Sequence, residues 1–288
     1  MNYLDTGYFG EALPWFGPVL KGYRAHYNSS LMGYPQGNYE LAGFLWDEQG
    51  HLLSQHVLGC FTSGDTAEII SDIAFPESRD VGGMIGLLLR PLQKYDKPRE
   101  PAWMTRILSS AGCLTTVIGT NSPGRSNHPE RSGRKSSYRM ISPELVLNDT
   151  WQSLSWHGNA SANPLYSNPI TLYPSVFAPD GRKLEAAPVR VPAFGSILLD
   201  LSSSLGPALR DFLGGSERGS YMVVSRDGGA VGYHLLRHRE TGALAMDHSR
   251  PTLRYLDIGY GSSDSFTEIN TKNAIISSLR YIKWRFIR

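Results

Sequence analysis

The chain has 288 residues, enough for a sizeable core and better suited to two ordinary domains than to one. Charged residues make up 19% and aromatics 11%, with 30 glycines and 18 prolines; this globular, turn-rich composition excludes a disordered chain. A net charge of +2 is too small to indicate a nucleic-acid binder, and apolar runs such as Ile85–Leu89 are far too short to span a membrane.

The first thirty residues contain Asp5, Glu11, Pro14 and Pro18 and no apolar core of the signal-peptide kind, so a cytoplasmic protein is expected. Cys60 and Cys113 are too few for a disulfide framework or a cysteine metal site, and buried free thiols are the expectation.

In chain order, "YELAGFLW" (39–46) carries strand-forming residues into the turn "DEQG", which closes on Gly50. A second strand follows, then a break at Gly64 and a third strand, "TAEIISDI" (66–73). Residues 89–106 form an insertion rich in Pro, Lys and Arg, and "CLTTVIGT" (113–120) supplies a further strand. Residues 122–139 hold five Lys/Arg and a single acid with no apolar period, which predicts a long loop or an interdomain linker.

The phrase then recurs. "ITLYPSVF" (170–177) runs into "APDG", closing on Gly181, with a break at Gly195 and a strand "SILLDLS" (196–202). Gly50 and Gly181 are separated by 131 residues, and the same offset matches Leu41 to Leu172, Leu53 to Leu184 and Gly64 to Gly195. It also matches His26, Asn28 and Ser30 to His157, Asn159 and Ser161. An internal duplication is the reading, with copies near 22–135 and 150–255. More loosely, the strand, turn glycine and histidine at Gly124 and His128 rhyme with those at Gly242 and His248.

The expected fold is all-β: two tandem antiparallel β-sandwiches, immunoglobulin-like or jelly-roll-like, with little helix. The domains would be 1–140, with an N-terminal extension and the basic loop, and 141–288, with a basic amphipathic C-terminus. There Ile275, Leu279, Ile282 and Phe286 follow helical spacing. The repeated strand–turn–strand phrase resembles bacterial immunoglobulin-like modules, which implies a fold and no function.

Candidate chemistry centres on the repeated triplet. In extended chain His26 and Asn28 share a face, as do His157 and Asn159, so these four are the candidate ligand-binding residues. Joined by His128 and His248, His26 and His157 would make a set suited to a divalent transition metal. The close pairs His51/His56 and His234/His238 read as sheet residues, and no P-loop or G-x-S-x-G occurs.

Three functions follow as expectations. One is a protein that binds a small molecule, glycan or lipid at the junction of the two domains. Another is an enzyme with a histidine-bound metal or a His/Asn acid–base site there. The third is an interaction module using the basic loop, or using the C-terminus on a membrane surface.

Overall fold

A computed structural model describes residues 14–32, 34–93, 103–109, 114–119, 138–161, 165–225, 228 and 230–248. The expected linker at 122–139, apart from its last two residues, and the C-terminal segment from residue 272 lie outside them.

The chain is all-β, as its strand–turn spacing requires. In the first half the strands are β1 (Trp15–Val19), β2 (Arg24–Ser30), β3 (Asn38–Asp47), β4 (Leu52–Thr62), β5 (Thr66–Ile70), β6 (Gly83–Pro91), β7 (Trp103–Leu108) and β8 (Leu114–Gly119). The second half contributes β9 (Tyr138–Val146), β10 (Trp151–Gly158), β11 (Ile170–Phe177), β12 (Lys183–Glu185), β13 (Val189–Val191) and β14 (Ser196–Asp200). It ends with β15 (Arg218–Ser225), β16 (Val231–His238) and β17 (Leu244–His248). Helix among the described residues is confined to α1 (Ser71–Ala74), α2 (Leu201–Leu205), α3 (Pro207–Leu213) and a 3-10 turn at Pro76–Arg79.

These strands form four antiparallel sheets, in the orders β1-β6-β3-β4 and β5-β2-β7-β8, then β12-β11-β15-β9 and β14-β10-β16-β17. Strand β13 also pairs with β11. The third order repeats the first in reverse and the fourth repeats the second, if β1, β2 and β3 stand for β9, β10 and β11, β4 for β12 with β13, and β5 to β8 for β14 to β17. Residue 140, after which the boundary is expected, lies in β9.

Local chemistry repeats as well. At the first hairpin Asp47 N–H donates to His51 O at 3.0 Å, and Gly50 N–H donates to Asp47 O at 3.1 Å. At the second, Ala178 N–H donates to Arg182 O at 3.0 Å, and Gly181 N–H donates to Ala178 O at 2.9 Å. Both glycines take positive φ, +82° and +88°, where a side chain is strained. The offset of 131 continues past the breaks, because Pro76 opens the 3-10 turn and Pro207 opens α3. The edge strands differ. Strand β4 is eleven residues long, whereas its counterpart is split into β12 and β13 of three residues each around Pro188, which has no N–H for the ladder.

In the first half, β2 alternates inward Ala25, Tyr27 and Ser29 with outward His26 and Asn28. Tyr27 meets Trp15 edge-on at 5.3 Å and donates to Pro18 O at 2.6 Å, which joins the two sheets. In the second half, Tyr221 on β15 packs against His234 at 5.7 Å and donates to Leu154 O at 3.3 Å. Val146 N–H donates to Ser153 Oγ at 2.8 Å, so Ser153, Ser155 and His157 face the β12-β11-β15-β9 sheet.

The other face of β10 meets the first half. Trp156 Nε1–H donates to Gly83 O at 3.2 Å, and Trp46 stacks on Phe194 at 5.1 Å with ring planes 13° apart. One hydrophobic core therefore runs through both halves. Strand β3 is buried on both faces for this reason, and its near-continuous apolar run reflects that. The junction is filled by side chains: Trp46, Phe44, Phe16, Met84 and Trp156 are each no more than 2% exposed.

Candidate functional site

The four candidate ligand residues separate into two kinds. His157 lies inside the second half, fully buried, with Nε2 3.0 Å from Ser155 Oγ. Burial lowers its imidazole to about 3, so the ring is neutral at physiological pH.

Asn159 is buried and works as a clasp. Its Nδ2 donates to Asn168 O at 2.9 Å, Val191 O at 3.2 Å and Pro192 O at 3.0 Å, while Oδ1 accepts from Tyr166 at 2.9 Å. Its own backbone exchanges bonds with the same segment: Asn159 N–H donates to Gly195 O, and Phe194 N–H donates to Asn159 O. This holds Phe194 at φ +56°, a left-handed conformation that a side chain rarely adopts. Asn159 thereby presents the Phe194 ring to Trp46.

His26 and Asn28 lie on the outer face of β2, partly buried. His26 is paired between Ile70 and Arg106, and Asn28 between Glu68 and Met104. The outward positions of β5 and β7 thus bring Glu68 and Arg106 onto the same face. His26 Nδ1 is 3.8 Å from Glu68 Oε1, and its Nε2 is buried with no hydrogen-bond partner among the described residues. Arg106 Nη2 approaches Met104 Sδ at 3.9 Å. An imidazole, an amide, a carboxylate and a guanidinium therefore share one surface of three adjacent strands.

The expected equivalence of His26 with His157 does not carry over to this geometry. His26 points out of the first half and His157 into the second. Inward Tyr27 and inward Ser155 are 128 residues apart, so an offset of 131 slips the register of these two strands by three, and an odd slip swaps the faces. The offset of 131 describes the hairpins.

The metal set His26, His128, His157 and His248 is not assembled among the described residues, where no three His, Cys, Asp or Glu side chains group to hold an ion. His128 lies outside those residues. His248 is described by its backbone alone, paired with Tyr233 on β16. Cys60 is exposed rather than buried, and Cys113 lies outside the described residues.

Sequence reading missed Glu68 and Arg106. Their signal was present as alternation in "TAEII" and "WMTRIL", which marks them as outward. Nothing in either segment says that β2 lies between them.

No protein family matches the chain, and no characterised protein matches its sequence. Among solved structures, a Bacteroides uniformis β-glucuronidase aligns at 12% identity over 82% of this chain and 25% of its own, with a TM-score of 0.18. A calcium-binding mutant of Bacteroides uniformis β-glucuronidase 2 aligns at 12% identity over 83% of this chain and 26% of its own, with a TM-score of 0.17. The chain spans about a quarter of those proteins, and a likeness this slight says nothing about its activity. Among the described residues no helix is long and apolar enough to cross a membrane.

Proposed function

We propose that the protein is a non-catalytic binding module that holds a small polar ligand, a glycan fitting best, on the outer face of the β5-β2-β7-β8 sheet. One observation carries the reading: His26, Asn28, Glu68 and Arg106 display donors and acceptors together on one rigid surface. Sugar hydroxyls both donate and accept, so a mixed set suits them better than a set of one sign. Glu68 is exposed, and at 3.8 Å its pairing with His26 Nδ1 is loose enough for a ligand to enter, while His26 Nε2 is buried. A lipid fits this polar face less well, and the junction first expected to hold the ligand is packed with aromatic side chains. In this reading the halves 1–140 and 141–288 are two copies of one sandwich unit in a cytoplasmic protein, and the first copy carries the site. A divalent metal would need ligands beyond His26 and Glu68.

The test is an array of neutral and acidic oligosaccharides probed with the full chain. A bound glycan should be held at least tenfold more weakly by Arg106→Ala and by Asn28→Ala, with the melting temperature unchanged. Binding that ignores both substitutions, or no binding across the array, would falsify the proposal.

A further inference from the structure

The two halves treat one pair of positions differently. In the first, Asp72 on α1 is buried and receives two guanidinium groups. Arg24 donates through Nε at 2.9 Å and Nη2 at 2.7 Å, and Arg79 through Nε and Nη2 at 3.1 Å each. Burial alone would raise this carboxyl, but the two arginines more than offset it and hold it below the ordinary range. Both arginines converge on Oδ2 of the carboxylate.

The offset of 131 carries Arg79 onto Arg210 and Asp72 onto Ser203. The second half keeps the arginine and lacks the carboxylate. Arg210 and Arg239 both line a cleft of about 440 Å³ beside α2 and α3, with Ser202, Ser203 and Pro207 in its wall. Among the described residues Arg210 pairs with the fully exposed Asp149, at 3.4 Å, which is worth little. Arg239 is anchored by Nε to Asn148 O at 3.0 Å, which leaves its two terminal nitrogens for a ligand. Asn148 is itself fixed, since its Oδ1 accepts from the backbone of Thr150 and Trp151.

The half-buried Asp200 carboxylate does not fill the gap. Asp200 is occupied by the amides and hydroxyls of Ser202 and Ser203 and by Gln152 Nε2. Gln152 in turn accepts from Arg237. Two guanidinium groups thus border one cleft, and among the described residues no carboxylate lines it; Asp149 reaches Arg210 from outside.

We infer that this cleft binds a small oxyanion, a phosphate or a carboxylate, which takes the role there that the Asp72 side chain plays in the first half. Arg210 and Arg239 would hold it from two sides by charge-assisted hydrogen bonds, while the Ser202 and Ser203 hydroxyls stay committed to Asp200. The site lies in the second half, on different elements from the His26 face, and does not depend on it.

The experiment is calorimetric titration of the full chain with inorganic phosphate and, separately, with malonate, at low ionic strength. Saturable binding of either is expected, weakened at least tenfold by Arg210→Ala and by Arg239→Ala. Preference for one anion over the other identifies the class. Arg210→Lys should restore only part of the affinity, because an ammonium lacks the two-pronged geometry. Arg182→Ala removes an exposed arginine outside the cleft, bound to Asp180 and to Phe212 O at the end of α3, and should leave the anion affinity unchanged. The inference is overturned if neither anion binds saturably, if sodium chloride of equal ionic strength competes fully, or if the Arg182 variant loses as much affinity as the cleft variants.

Discussion

Trp46 and Phe194 stack at 5.1 Å with their planes 13° apart, and this contact joins the hairpin end of β3 to the turn before β14. Phe194 achieves it from φ +56°. The ring and the backbone therefore pull in opposite directions. Phe194→Ala should cost about 3 kcal/mol from lost burial. Phe194→Gly loses the same ring but relieves the left-handed strain, so it should be about 1 kcal/mol more stable than the alanine variant. Urea unfolding of the two variants measures the difference; equal stability would show that the backbone is unstrained.

The two turn glycines share a conformation but differ in surroundings. A Cβ on Gly50 would lie 2.1 Å from Ala193 O, whereas one on Gly181 meets nothing within 4 Å. Gly181→Ala should cost about 1 kcal/mol, the price of positive φ alone. Gly50→Ala should cost clearly more, because the clash is with backbone and forces the Asp47–Gly50 turn away from the second half. Thermal melts of the two variants test the order, and the reverse ranking would mean that this contact is easily displaced.

Asn159 and Asn28 match in the sequence and should part in effect. Asn159→Ala leaves three carbonyls and Tyr166 without their partner and should lower stability by about 2–3 kcal/mol. Asn28→Ala lies on an outer face and should stay within about 0.5 kcal/mol. Denaturant titration of both distinguishes a buried clasp from a surface group.

His157 gives a pH dependence of known sign. Its folded-state value is about 3, below the ordinary 6.5, so the unfolded chain takes up the proton first. The stability linked to it is complete above pH 6.5 and is lost as the pH falls toward 3, at about 1.4 kcal/mol per unit. His157→Gln should be less stable than the parent at pH 7.5 and should show a shallower loss between pH 6 and 4. Parallel slopes for the two proteins would mean that His157 is not the titrating group.

The sequence by itself determined the hairpins. Positive φ at Gly50 and Gly181 follows from turn chemistry in four-residue windows, and alternation in β2, β5 and β7 states which side chains share a face. Scarce helix was legible because no long stretch before residue 272 keeps a 3.6-residue period. Even the tie between Arg79 and Arg210 was within reach of the offset of 131, had it been carried past Gly64.

What lies on each side of a sheet was decided only by tertiary structure. Strand β10 meets its own partner sheet on one face and the first half on the other, and His157 points at the partner sheet while His26 points away from its own. Identical triplets therefore became a surface group in one half and an interior group in the other. Glu68 and Arg106 reach His26 through strand pairings 42 and 80 residues distant in the chain. The period of a strand says that a residue points up or down; it contains no information about which element arrives there, because that depends on how whole sheets bury their apolar area together.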